Sequence, residues 1–142
     1  MINIRSVDHV VLRVRDVEAV GRFYIEVLGG SWDRRRDDIG LHHLRLGDVM
    51  IDLVPVDGPL GRMGGGPPGA DGHNVDHVAF RVRPWDGDSI LATLKSHGID
   101  GEIKGRYGAD GDGPSIYFKD PEGNGVELKG PPTVNRGMHE SV

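Results

Sequence analysis

The stretch Val7-Asp8-His9-Val10-Val11-Leu12-Arg13-Val14-Arg15 recurs sixty-eight residues later as Val75-Asp76-His77-Val78-Ala79-Phe80-Arg81-Val82-Arg83, identical at seven of nine positions. A repeat of this kind marks a duplicated supersecondary unit, so each copy reads as the opening of one module. Both copies alternate as strands do. Val10, Leu12 and Val14 make one apolar face, His9, Val11 and Arg13 make the other, and His77, Ala79 and Arg81 repeat that second face.

Each opening strand is followed by a helix signal. In the first copy Asp16 stands as cap, Glu18 lies in the first turn, and Val17, Val20, Phe23, Tyr24, Val27 and Leu28 recur at helical spacing before Gly29-Gly30. In the second, Asp86 or Asp88 is the cap, and Ile90, Leu91 and Leu94 lead to His97-Gly98. Strands come next. Residues 41–46 and 49–54 flank Gly47-Asp48, and residues 115–119 and 125–129 flank Asp120-Pro121-Glu122-Gly123-Asn124, a turn composition. The unit is thus βα followed by β-strands, present twice.

The chain of 142 residues has room for one domain, read here as residues 1–132 in two modules, about 5–57 and 74–130, with a polar tail at 133–142 expected to fray. Its 23 glycines and 9 prolines are unusual, but ten of them fall in the linker 57–74 and ten more between Gly105 and Pro131, so they punctuate a globular sequence. A net charge of -5 offers no favourable field to nucleic acid or an anionic membrane. With no cysteine, disulfides, thiolate nucleophiles and cysteine zinc sites are excluded. No apolar run approaches about 18 residues and the N-terminus lacks a signal-peptide core, which gives the expectation of a cytoplasmic protein.

Aligning the last strands places Ile51-Asp52-Leu53 on Val126-Glu127-Leu128. With Ile51, Leu53, Val126 and Leu128 turned to the helices, Asp52 and Glu127 go to the face that carries His9 and His77. A lone strand histidine is ordinarily a hydrogen-bonded structural residue, and a lone strand carboxylate a solvated charge. Here face alternation and internal repetition independently select the same four residues, a donor set suited to a divalent metal. His43 and Tyr117 alternate towards the same face as candidate substrate contacts. Arg34-Arg35-Arg36 followed by Asp37-Asp38 reads as a neutralised, solvated loop, residues 105–114 as a loop able to cover a site, and His73 and His139 as surface residues.

The paired modules, the Asp-His-Val strand openings and the ending Asp120-Pro121-Glu122-Gly123-Asn124-Gly125-Val126-Glu127-Leu128 resemble the vicinal oxygen chelate superfamily, which includes glyoxalase I, extradiol dioxygenases, fosfomycin-resistance proteins and bleomycin-binding proteins. The resemblance covers about residues 5–130. It implies an α+β fold in which two βαβββ modules form a cup-shaped mixed sheet with helices outside. It implies a metal held by His9, Asp52, His77 and Glu127, the ion being Zn, Ni, Mn or Fe. It further implies a small-molecule substrate and a homodimer, with modules paired within one chain or across two.

Resemblance to bacterial glyoxalase I assigns Arg13, four residues after His9, to a substrate carboxylate, which a guanidinium binds as a fork. The implied reaction is proton transfer on a substrate chelated through adjacent oxygens, as in a lactoylglutathione lyase, with Glu127 as base and Asp52 as its counterpart. Asp52 stands where that enzyme has glutamate, one methylene longer. If Asp52 does not reach, His9, His77 and Glu127 form the two-histidine, one-carboxylate triad of an extradiol-type dioxygenase. A third alternative is a bleomycin-type binding protein of the same fold, without catalysis.

Overall fold

The fold comes from a computed structural model, which describes residues 1–133. The chain forms two compact units, Met1–Asn74 with Pro121–Gly123, and Val75–Asp120 with the segment from Asn124. Each is a βαβββ module.

In the first module β1 (His9–Val14) leads into α1 (Val17–Glu26), followed by β2 (Ser31–Arg36), β3 (Leu41–Leu46) and β4 (Val49–Pro55). The sheet order is β1-β4-β3-β2, with β1 parallel to β4 and the remaining pairs antiparallel. Asp16 caps α1 by accepting the Ala19 amide at 3.0 Å, satisfying a donor that the helix leaves open. Val17, Val20 and Tyr24 of the helix are buried, as are Leu12, Val14, Leu44, Ile51 and Leu53 of the sheet. The alternation expected for β1 is present: Leu12 and Val14 are buried, whereas His9 and Val11 are exposed.

The second module repeats this order with β5 (His77–Arg81), α2 (Gly87–Ser96), β6 (Lys104–Gly108), β7 (Gly111–Lys119) and β8 (Gly125–Lys129). Its sheet runs β5-β8-β7-β6. Of the two candidate caps it is Asp86 that accepts the Ser89 amide, at 3.1 Å. Leu94, Ile116, Phe118, Val126 and Leu128 are buried. The strands at 41–46 and 125–129 lie where the sequence placed them.

Two segments read as loops are strands. The arginines at 34–36 belong to β2, and the cluster is neutralised differently from the expectation. Arg36 pairs with Asp38 at 2.8 Å. Arg35 instead ion-pairs with Glu18, lies 3.9 Å over the Trp32 ring and donates from Nε to His42 Nδ1 at 3.1 Å. Trp32 packs so closely on α1 that a Cβ on Gly21 would lie 2.3 Å from its ring. Residues 105–114 are the β6–β7 hairpin, with Gly105 opposite Pro114 and Tyr107 opposite Asp112. A Cβ at Gly113 would meet the Pro131 carbonyl oxygen at 2.5 Å, so glycine there permits a close backbone approach rather than a free loop.

Thr133, assigned to the tail, is tied to the Asp112 carbonyl through its amide at 2.8 Å; the rest of the tail, including His139, lies outside the described residues. His73 lies against Gly123, where an added Cβ would come within 2.9 Å of its ring. No helix among the described residues is long and apolar enough to cross a membrane.

The Arg35 cluster predicts a pH dependence. Burial, then the Arg35 charge, holds the His42 pKa below its ordinary 6.5, and the Arg35 hydrogen bond holds the Glu18 carboxyl below its ordinary 4.5. A depressed folded value means that the unfolded chain takes up protons first, so the stability from His42 is present above 6.5 and lost as pH falls through the folded value. Urea midpoints are therefore expected to fall between about pH 7 and about pH 5, and His42→Gln to flatten that slope. An unchanged slope in the variant would remove His42 as the cause.

Candidate functional site

Each module presents one histidine and one carboxylate at the same place in its repeat. His9 and His77 open the edge strands β1 and β5, while Asp52 and Glu127 occupy the inner strands β4 and β8, opposite Val11 and Ala79. Both carboxylates are almost fully buried, with 3% of Asp52 and 5% of Glu127 exposed. Burying a carboxylate in a strand is costly unless it is paired. The partners therefore show what each is arranged to do.

The preceding aspartates set the histidine rings. His9 Nδ1 lies 2.7 Å from Asp8 Oδ1 and His77 Nδ1 lies 2.7 Å from Asp76 Oδ2. In both rings this places the proton on Nδ1 and leaves Nε2 as the free donor atom, the orientation that a metal-binding imidazole takes. The hydrogen bond that His9 donates to Asp8, then the charge of Asp52, holds the His9 pKa above its usual value. The Asp-His pair was in view as part of the repeat, identical in both copies, but its role in setting the ring was not read from it.

The two modules then differ. In the second, His77 Nε2 is 3.1 Å from Glu127 Oε1. The other carboxylate oxygen, Oε2, accepts from the Ser115 hydroxyl at 2.7 Å. Tyr117 sits opposite Glu127 in the β7–β8 register, its ring edge-on to His77 at 5.5 Å between centroids. Burial, then a hydrogen bond to Glu127, pushes the Tyr117 phenol up. An open groove of about 540 Å³ in this module is lined by Tyr117, Arg106, Lys104, Glu102, Gly101 and Asp100. Ser115 was missed from sequence, although it lies two residues before Tyr117 and so on the same strand face.

In the first module His9 Nε2 is 3.9 Å from Asp52 Oδ2, and Asp52 Oδ1 is engaged instead by His43 Nδ1 at 2.6 Å. Two donors each about 2.0–2.2 Å from one ion, at angles between about 90° and 110°, lie roughly 2.8–3.6 Å apart. The His77–Glu127 separation falls inside that window and the His9–Asp52 separation outside it. The second module thus has two groups spaced as ligands of one divalent ion, and the first does not. Among the described residues no group of three or more histidine and carboxylate side chains comes together as a metal-holding cluster.

Arg13 departs from its expected role. Its Nη2 donates to the Gly61 and Gly65 carbonyls at 2.9 and 2.7 Å, and Nη1 to the Gly66 carbonyl at 3.0 Å. The guanidinium fastens the glycine-rich linker, whose backbone oxygens occupy the donors that a substrate carboxylate would need.

Two βαβββ modules, each with an aspartate-oriented histidine and a buried carboxylate, define a paired-module α+β class of fold. The sequence model for the Glyoxalase/Bleomycin resistance protein/Dioxygenase superfamily matches residues 6–128, and the chain belongs to that superfamily. It is 29% identical over 125 residues to the metallothiol transferase FosB of Staphylococcus epidermidis, covering 88% of this chain and 81% of that protein. A crystal structure of a virulence protein from Salmonella typhimurium superposes with a TM-score of 0.77 at 28% identity, over 92% of this chain and 99% of that one. Lactoylglutathione lyase from Agrobacterium tumefaciens shares the fold, with a TM-score of 0.63 at 20% identity over 88% of this chain and 92% of that one.

Proposed function

We propose that the protein is a metal-dependent enzyme that transfers a proton on a small substrate bearing two adjacent oxygens, the reaction type of a lactoylglutathione lyase. The observation that carries this reading is the 3.1 Å approach of His77 Nε2 to Glu127 Oε1, with the far side of each group fixed by Asp76 and Ser115. His77 and Glu127 would hold a divalent ion, and His9 is the corresponding donor of the first module. Bound there, the ion would supply Lewis-acid polarisation of a substrate carbonyl. The chain supplies the rest. Asp8 and Asp76 each engage Nδ1 of their histidine, which leaves Nε2 as the nitrogen for an ion, Ser115 holds one Glu127 oxygen so that the other faces His77, and Tyr117 walls the site. The working species in this proposal is a homodimer.

Ser115→Ala is expected to lower divalent-metal affinity by about tenfold, since a ligand's hydrogen-bond partner commonly contributes that much. Competition titration with a chromophoric chelator measures it, and unchanged affinity would remove Ser115 from the site.

A second reading, transfer of a thiol to an electrophilic acceptor, is supported by the likeness to a metallothiol transferase. The deciding experiment reconstitutes the protein with zinc, nickel, manganese and ferrous iron separately. Each form is assayed on the hemithioacetal of methylglyoxal and glutathione, on thiol transfer, and on catechol cleavage. Metal-dependent formation of the thioester supports proton transfer. Thiol transfer alone favours the second reading, and catechol cleavage with iron favours a dioxygenase.

A further inference from the structure

Resting on the reading of His77 and Glu127 above, we infer that Arg81 selects the substrate by taking an anionic group, a carboxylate or a phosphate-type group. The group is carried at the end of the substrate remote from its chelating oxygens. His77, Ala79 and Arg81 alternate along β5 and are the exposed residues of that strand. They share one open face, on which only the Ala79 methyl stands between the imidazole and the guanidinium. Four residues of strand separate the Cα atoms of His77 and Arg81 by about 13 Å. An extended substrate spans that length, and a minimal one does not.

The present partner of Arg81 is a stand-in for such a group. Arg81 Nε donates to Asp110 Oδ2 at 2.7 Å, and Nη2 lies 3.5 Å from Oδ1, the two-point geometry in which a guanidinium binds a carboxylate. Arg83 Nη2 lies 3.7 Å from the same Oδ2, so two positive charges share one negative charge. Arg83 is held in place by donating from Nη1 to the Val82 and Lys129 carbonyls at 2.8 and 3.1 Å. Asp110 belongs to the tip of the β6–β7 hairpin, next to Gly111. Its side chain is 48% exposed and that of Arg81 60%. An ion pair so exposed contributes little stability. A substrate anion therefore exchanges for Asp110 at small cost and meets both guanidiniums.

The repeat supplies an internal contrast. Arg13 stands at the same place after His9, but its guanidinium donates to three linker carbonyls. Its Nε is buried without a hydrogen-bond partner, under Gly64, where an added Cβ would lie 2.4 Å away. An anion reaches Arg13 only by lifting the linker, whereas at Arg81 one exposed side chain turns aside. The two copies of one arginine have diverged, the first into a clamp on the linker and the second into an exchangeable anion site.

The arginine Nε–H resonances of the metal-free protein test the anion site without any metal. Titration with inorganic phosphate is expected to shift Arg81 and Arg83 saturably, with affinity about fivefold higher in Asp110→Asn, where the competing charge is gone. Arg81→Gln is expected to lose the saturable response. No saturable shift of Arg81 in the unsubstituted protein, or the same affinity in Arg81→Gln, would overturn the inference. The cobalt-loaded protein supplies the link to substrate, read from the visible spectrum of the ion. The probes α-hydroxysuberate and α-hydroxyoctanoate carry the same chelating oxygens on chains of equal length and differ in the terminal carboxylate. The diacid is expected to bind about tenfold more tightly to the unsubstituted protein and to lose that advantage in Arg81→Gln. Equal affinity for the two probes in the unsubstituted protein would overturn the inference. Failure to take up cobalt would instead overturn the reading of His77 and Glu127, and the phosphate titration would still decide Arg81.

Discussion

Glu127→Gln is expected to weaken divalent-metal binding by at least about 100-fold and to abolish metal-dependent turnover. The substitution keeps the volume and the Ser115 contact possible, so the fold has no reason to fail. What it removes is the charge facing His77 Nε2 at 3.1 Å. An amide oxygen is a much poorer ligand than a carboxylate, and the amide NH₂ in the same place would turn a donor towards the ion. Hydrogen-bond partners of metal ligands are worth 10–100-fold in affinity by themselves, so loss of a ligand's charge belongs at or beyond the top of that range. Isothermal titration with zinc or cobalt measures the change. Affinity within about threefold of the unsubstituted protein would remove Glu127 from the site.

Leu53→Ala is expected to destabilise folding by about 3 kcal/mol, the largest effect foreseen for a single core truncation. Leu53 is fully buried at the centre of the first sheet, beside Leu12 on β1 and His42 on β3. Neighbours held on two sides by backbone ladders cannot close over the space left by the side chain, so a cavity remains. The urea midpoint should drop with the slope unchanged. Val11→Ala, on the same module but 46% exposed, should cost less than about 1 kcal/mol. A Leu53→Ala loss no larger than that of Val11→Ala would mean that this layer is not the packed core.

Much of the fold was legible because the sequence presents it twice. The repeat around His9 and His77 located both opening strands, and simple alternation assigned Leu12, Val14, Ile51, Leu53, Val126 and Leu128 to the buried side, where all six lie. The capping aspartates Asp16 and Asp86 were legible for the same reason. Strands β2 and β6 were not. Both are edge strands, paired on one side only, and β2 is built of arginines held by Trp32, Glu18 and Asp38, while β6 and its hairpin partner are rich in glycine. Neither composition carries a period of two.

The site was legible in residue type more than in partnership. Alternation put Asp52 on the face of His9 and Glu127 on the face of His77, yet alternation gives a face and not a distance. It could not show that Asp52 meets His43 at 2.6 Å while standing 3.9 Å from His9. Arg13 points from the expected strand position, but its partners are backbone carbonyls of a linker, which leave no side-chain signal. Ser115 was accessible in principle, through its spacing from Tyr117.

The proposed site holds one divalent ion through His77 and Glu127 of the second repeat. Metal stoichiometry by titration, on the unsubstituted protein and on His77→Ala and Glu127→Gln, tests it most directly. One ion per chain, lost or weakened by at least about 100-fold in each variant, is the predicted result. Tight binding that survives both substitutions would contradict the account.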